Sequence, residues 1–302
     1  MSDMMGKTAI VTGGASGIGL GIVEAFLEGG MKVAIADIDA DAVKREVDRL
    51  SEAGAEVLGV ELDVCSKQSW ENAANSVVER FGHIDVLCNN AGVAQGRLPS
   101  GEPLLVTDLS EGLFRMLMDI NVIGVFLGVK VIAPMMIARG QGGAIVNTAS
   151  MAGFLTPPGL SAYVASKFAC VGLSESIRSE LAPNDISVSV FCPGGVTSNL
   201  STNTAARRAA QVHDADERQA KLDDRPSKNQ VMTALSAGRC VLAGIRANDL
   251  YIFSHPEFQD LVQERFAAVL ASFDAPAQEG YRDPEAVLTK SRNPAHAQIL
   301  AG

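Results

Sequence analysis

A strand-like run, Thr8-Ala9-Ile10-Val11-Thr12, passes straight into the glycine-rich turn Gly13-Gly14-Ala15-Ser16-Gly17-Ile18-Gly19, and Ile22, Val23, Phe26 and Leu27 then recur at helical spacing. No other stretch restricts the fold as strongly. Glycine lets the backbone turn sharply and approach a ligand, and the helix beyond offers free N–H groups and the positive end of its dipole. Strand, turn and helix in immediate succession make a cradle for a pyrophosphate, the central group of a dinucleotide. The spacing is G-x-x-x-G-x-G rather than G-x-G-x-x-G, so taken alone it reads equally as a plain glycine-rich turn.

The rest of the chain repeats this rhythm. Residues 33–36 end in Asp37, residues 57–62 in Asp63-Val64, and residues 84–88 in Asn89-Asn90-Ala91-Gly92. Residues 144–146 lead to Ser150, residues 186–192 lead to Pro193-Gly194-Gly195-Val196-Thr197, and a last strand is expected at 250–254. Helical patterns separate them near 69–81, 109–137, 162 onward, 230–246 and 256–273. Such alternation predicts an α/β fold of Rossmann type, one doubly wound parallel sheet of about seven strands. We expect a single domain over residues 1–273 and an extended C-terminal tail over 274–302. Every polar residue singled out, apart from Asn121, falls at or just past the carboxyl end of a strand, where open α/β sheets bind ligands. Asn121 lies within the very apolar 109–137 helix. A buried asparagine needs partners, so it is either a structural hydrogen-bonder or part of a proton path.

Ser150, Tyr163 and Lys167 carry groups suited to proton transfer. Tyr163 and Lys167 stand one helical turn apart, on one face of their helix. A phenol ordinarily keeps its proton to about pH 10, and a nearby cation favours the phenolate, so Tyr163 is a candidate general base. Ser150 emerges where its strand ends. Asp37 can accept hydrogen bonds from the adenosine ribose and would repel a 2′-phosphate. Neither Ser16 nor Ile38 supplies a compensating positive charge, so NAD is expected rather than NADP.

With 25 basic against 35 acidic residues, the formal charge is −10, which argues against nucleic acid and anionic membranes as partners. Five cysteines and four histidines are scattered without a disulfide or metal spacing, as in a reducing, cytoplasmic compartment. Residues 1–7 are too short and polar for a signal peptide. The most membrane-like stretch, residues 120–138, is interrupted by Lys130 and Pro134 and is expected to be a buried helix.

Taken together, the chain resembles the short-chain dehydrogenase/reductase family. The matching residues are Thr12-Gly13 with Gly17-Ile18-Gly19, Asp63, Asn89-Asn90-Ala91-Gly92, Asn121, Ser150, Tyr163 with Lys167, and Pro193-Gly194 with Val196. The resemblance covers roughly residues 5–200, in order. It implies that Tyr163 is the acid/base, that Ser150 holds the substrate oxygen, and that Lys167 binds the nicotinamide ribose and favours the phenolate. Asn121 would fix a proton-relay water. The coenzyme would lie on Gly13, Ser16, Gly17, Ile18, Gly19 and Asp37, with Asp63 and Val64 at the adenine. Asn90, Ala91 and Gly92 would run along it, Tyr163 and Lys167 at the ribose, and Pro193, Gly194, Val196 and Thr197 at the carboxamide. A substrate lid near 198–229 and a homodimer or homotetramer are also implied. Residues 249–253, His255-Pro256-Glu257 and Arg265-Phe266 are loosely similar to the bacterial branch oxidising benzylic alcohols of aryl ethers.

The expected function is therefore NAD-dependent interconversion of a bulky aromatic or alicyclic secondary alcohol and its ketone. The expected pocket, Val93, Ala94, Ala152, Gly153, Phe154, Leu155, Pro157, Leu160 and Leu200, is mostly apolar. Two alternatives stay open: a dinucleotide-binding sensor or scaffold without turnover, since fold alone never establishes chemistry, and an NADP-dependent carbonyl reductase, which would require Asp37 to turn away.

Overall fold

A computed structural model describes residues 4–96, 98, 102–198, 200–212, 232–273, 289 and 291–301. The strands are β1 (Thr8–Thr12), β2 (Lys32–Asp37), β3 (Val57–Glu61), β4 (Val86–Asn89), β5 (Gly143–Thr148), β6 (Ile186–Cys192) and β7 (Tyr251–Phe253). They form one sheet in the order β3-β2-β1-β4-β5-β6-β7, each neighbouring pair parallel. Parallel neighbours need crossovers. The helices that supply them are α1 (Gly17–Glu28), α2 (Ala40–Glu52), α3 (Lys67–Phe81), α4 (Glu111–Met118), α5 (Gly124–Arg139), α6 (Ser161–Leu181), α7 (Leu200–Gln211) and α8 (Ala234–Ala247); α9 (Gln259–Ala271) and α10 (Pro294–Ala301) follow the last strand.

Helices on both faces explain why the strands are apolar throughout rather than alternating. On one face Ile10, Leu87, Ile145 and Val188 pack with Trp70, Leu113, Leu117 and Ile132. On the other, Val11, Ile35, Val86 and Val146 pack with Ile22, Phe26, Val241 and Ile245. Trp70 is wholly buried and donates its indole N–H to Val64 O at 3.1 Å. α1 and α8 cross in backbone contact: a Cβ on Gly21 would lie 2.0 Å from Ala234 O, and one on Gly238 2.0 Å from Gly21 O.

Two expectations change in detail. The 109–137 helix is not continuous: α4 and α5 are joined by a π-helical turn, Asp119–Ile123, with Asn121 at its centre. The combined stretch Glu111–Arg139 is long and apolar enough to cross a membrane, yet Leu113, Leu117, Ile132 and Met136 are buried in the core, while Phe114, Ile123, Phe126 and Ile137 stay exposed. Of the expected lid at 198–229, α7 is described, whereas 199 and 213–229 lie outside the described residues. Within the expected tail, Pro294–Ala301 is helical rather than extended, while 274–288, 290 and 302 are outside the described residues. α10 is anchored on α6: Ser179 Oγ donates to Asn293 Oδ1 (2.8 Å), Asn293 Nδ2 donates to Glu175 O (2.9 Å), and Tyr251 OH bridges Glu175 Oε1 (2.7 Å) and His296 Nε2 (3.0 Å).

The chain moves outward from β1 to β3, then restarts on the other side of β1 with β4. The crevice between the carboxyl ends of β1 and β4 is thus the switch point at which such sheets bind ligands.

Candidate active site

At the switch point the turns after β1 and β4 are tied together. Thr12 Oγ1 accepts the N–H groups of Asn90 and Ala91, both at 2.9 Å, and Asn90 Nδ2 donates to Thr12 O at 3.1 Å. Gly13 has φ +62°, and a Cβ there would lie 3.0 Å from Ala91 Cα. A Cβ on Gly19 would fall 1.9 Å from Gly13 O. The glycine turn is therefore folded on itself with bare backbone facing out, beside Ser16, Gly17 and Ile18 at the start of α1. Asp37, at the end of β2, accepts the Ala15 N–H through Oδ2 at 3.2 Å, so its carboxylate stands against that turn. Bare backbone at a helix start with a carboxylate beside it fits a dinucleotide. Asp63 follows β3, where Oδ1 accepts the Cys65 N–H (3.1 Å) and pairs with Arg207 Nη2 (3.2 Å). Val64 next to it is buried.

Toward the middle of the sheet, Tyr163, Lys167 and Asn121 come together, with Ser150 at the end of the neighbouring strand. Lys167 is buried, donates to Thr148 O at 3.1 Å, and holds its ammonium 5.6 Å from the Tyr163 ring centroid. Asn121 Oδ1 accepts the Val93 N–H (2.9 Å), and Nδ2 donates to Val93 O and Ser166 Oγ (both 3.0 Å). A Cβ on Gly92 would lie 3.1 Å from Asn121 Oδ1 and 3.5 Å from Lys167 Nζ, which ties the turn after β4 to both. Ser150 Oγ accepts the Ala152 N–H at 3.1 Å and caps a short 3-10 turn, Met151–Gly153. The Met151 N–H donates to Pro193 O at 2.9 Å, linking Ser150 to the loop after β6.

Several residues that shape the site left no trace in the sequence pattern. Gln95 is fully buried; Oε1 accepts the N–H groups of Ala162 (3.0 Å) and Tyr163 (3.3 Å), and Nε2 donates to Gly159 O (2.9 Å). It caps α6, whose flanking residue Leu160 has no side-chain acceptor to offer. α7 crosses the cleft: Asn203 Nδ2 donates to Ser16 Oγ (3.2 Å), Thr204 Oγ1 accepts the Ala94 N–H (2.9 Å), and Arg207 meets Asp63. Asn203, Thr204 and Arg207 lie in a polar, alanine-rich stretch without periodic signal. Below it, Val196 bridges to Met232, with Thr197 N–H donating to Met232 O (2.9 Å) and Met232 N–H to Gly195 O (3.0 Å).

Of the expected pocket, Val93 and Ala94 flank the Asn121 and Thr204 contacts, and Leu200 begins α7. Phe154 is buried instead in an aromatic cluster, 5.8 Å from Tyr251 and 5.4 Å from Phe253, and Leu155 packs on the same cluster. These two side chains belong to the packing against β7, where a ring gains more burial than in an open cleft. Among the described residues no His, Cys, Asp and Glu group could hold a metal. Burial raises the thiols, Cys65 to about 11, so none offers a ready thiolate.

Comparison with known proteins follows the same lines. The family model described as short chain dehydrogenase matches residues 7–209. A C alpha-dehydrogenase from Sphingobium sp. is 31% identical over 94% of this chain and 91% of that protein. A CLA biosynthesis dehydrogenase/reductase from Lactiplantibacillus plantarum is 34% identical over 89% of this chain and 95% of that protein. The crystal structure of a short chain dehydrogenase/reductase from Burkholderia phymatum in complex with NAD superposes with a TM-score of 0.81 at 31% identity, covering 93% of this chain and all of that one. With the fold, the switch-point turns and these similarities in agreement, the chain belongs to the short-chain dehydrogenase/reductase family and is an oxidoreductase.

Proposed function

We propose that the protein is an NAD-dependent dehydrogenase interconverting a bulky, apolar secondary alcohol and its ketone. The observation that carries this reading is the buried Lys167 ammonium beside the Tyr163 ring, anchored on Thr148 O at the end of the strand that leads to Ser150. Bound NAD would supply the hydride acceptor. Tyr163 takes the substrate hydroxyl proton, and Ser150 holds the same oxygen by hydrogen bond. Lysine has three N–H donors; Lys167 gives one to Thr148 O, which keeps its charge in place while the others remain for the nicotinamide ribose. The Asn121 amide is spent on Val93 and Ser166, which supports the structural half of its expected role.

The coenzyme would rest on Gly13, Ser16–Gly19, Asp37, Asp63, Val64 and Asn90–Gly92, with Pro193, Gly194, Val196 and Thr197 at its nicotinamide end. The Asp37 carboxylate against the glycine turn supports NAD over NADP, as does the NAD-bound relative. Val93, Ala94, Ala152, Leu160 and Leu200 support an apolar substrate. The exposed Phe114, Ile123, Phe126 and Ile137 support a homodimer or homotetramer; a monomer in sedimentation equilibrium would sink that part.

The test is reduced-coenzyme absorbance with NAD or NADP and a panel of benzylic, steroidal and aliphatic secondary alcohols. Tyr163→Phe should lower kcat by about 10²–10⁴ with NAD binding retained. Near-normal turnover in that variant would overturn the mechanism, and NAD binding without turnover on any alcohol would favour a sensor.

A further inference from the structure

Just beyond β7, His255 reaches back to the loop that follows β6. Its Nδ1 lies 3.1 Å from the Gly194 nitrogen and its Nε2 3.1 Å from Gly195 O. A backbone N–H can only donate, so Nδ1 must accept and carries no proton; the ring proton then sits on Nε2 and is donated to Gly195 O. The partners alone assign the neutral Nε2–H tautomer, and both nitrogens are spent on one loop. Ser254 Oγ, 2.8 Å from Nδ1, is placed to donate to the same atom.

Packing points the same way. A Cβ on Gly194 would lie 2.8 Å and 2.9 Å from two carbons of the imidazole and 2.9 Å from the Phe258 ring. Only glycine lets the ring lie flat against this backbone. At the start of the same loop, Pro193 O accepts the N–H of Met151, the residue after Ser150. Imidazole, loop and the Ser150 turn are thus linked in series.

We propose that His255 is a positioning residue: it holds Gly194 and Gly195 in the shape that receives the nicotinamide end of the coenzyme. The inference rests on the dehydrogenase reading above. Its two bonds act on the loop rather than on the substrate, and the adenosine end, held by Asp37 and Asp63 on the far side of β1, is outside its reach.

The experiment compares binding of NAD and of ADP-ribose, which lacks the nicotinamide ring, in the wild type, His255→Phe and His255→Asn. Phenylalanine keeps a ring against Gly194 and deletes both hydrogen bonds; asparagine restores an acceptor near the place of Nδ1. Two net hydrogen bonds correspond to about tenfold in affinity. His255→Phe should therefore bind NAD about tenfold more weakly and ADP-ribose within about twofold of the wild type, and His255→Asn should recover part of the difference. Equal NAD affinity in His255→Phe, or a parallel loss for ADP-ribose, would overturn the proposal. If the Phe variant does not fold, His255→Asn against the wild type decides it by the same two ligands. A wild type that binds ADP-ribose but not NAD would instead sink the dehydrogenase reading, and this inference with it.

Discussion

Lys167 and Asp37 show how much of a polar residue's role is decided by the atoms it has already committed. The lysine gives a single N–H to Thr148 O, and the aspartate receives the N–H of Ala15 on one oxygen and that of Asp39 on the other. Both were visible in the sequence because their signal is local: a tyrosine one helical turn before a lysine, and a carboxylate closing an apolar run. Gln95 and His255 were not visible in these roles, because their partners lie 67 and 61 residues away and no short pattern encodes them. At Asp37 the proposed consequence is coenzyme choice. Asp37→Ser removes the charge facing a 2′-phosphate, and like charges brought together cost several kcal/mol. The ratio of kcat/KM for NAD to that for NADP should fall by about tenfold or more; an unchanged ratio in steady-state assays would show that the carboxylate does not discriminate.

Among the elements, α6 carries Tyr163 and Lys167, and its first turn depends on a side chain from the loop after β4. Helix starts leave N–H groups unpaired unless something caps them. Gln95→Leu would strand the Ala162 and Tyr163 donors in a buried place, at about 1–3 kcal/mol. Urea unfolding should register that loss, and kcat should fall more than NAD affinity, because the turn that moves bears the proposed acid/base rather than the proposed coenzyme cradle. Strand ends were legible because each apolar run stops at turn-forming or polar residues. The π turn at Asn121 was not, since the register shift made by one additional residue leaves no mark where the residues after it are apolar on nearly every side. What drives it is tertiary: the Asn121 amide bonds to Val93 and Ser166, 28 and 45 residues away.

For the molecule as a whole, the two ends of the sheet have separate duties. The carboxyl ends hold the candidate site; at the amino ends Asp85, with no exposed side-chain surface, accepts the Thr8 N–H (2.8 Å) and pairs with Arg139 Nη1 (2.7 Å) and His83 Nε2 (3.0 Å). The Arg139 contact is an ion pair by distance without the angle of a hydrogen bond. Burial alone would raise this carboxyl, but the Thr8 N–H and the Arg139 guanidinium outweigh it and hold the group below its usual range. A depressed carboxyl stabilises the fold above its unfolded value, about pH 4, and that contribution is lost as pH falls through the folded value. Asp85→Asn should therefore cost about 3 kcal/mol near neutrality and flatten the acid limb of the denaturation profile, with kcat and KM unchanged. An acid limb identical to that of the wild type would refute this. The layered architecture was readable from alternation alone, whereas the docking of α10 and the placing of α7 across the cleft depend on contacts between polar stretches that carry no period. The bridge between Val196 and Met232 has a further consequence. It pins both feet of the intervening stretch to one spot beside the sheet, and doubling the length of a loop so closed costs only about 0.6 kcal/mol. Descendants of such a chain can therefore accept extra residues between α7 and Met232 while the helix keeps its own ties to Ser16, Ala94 and Asp63.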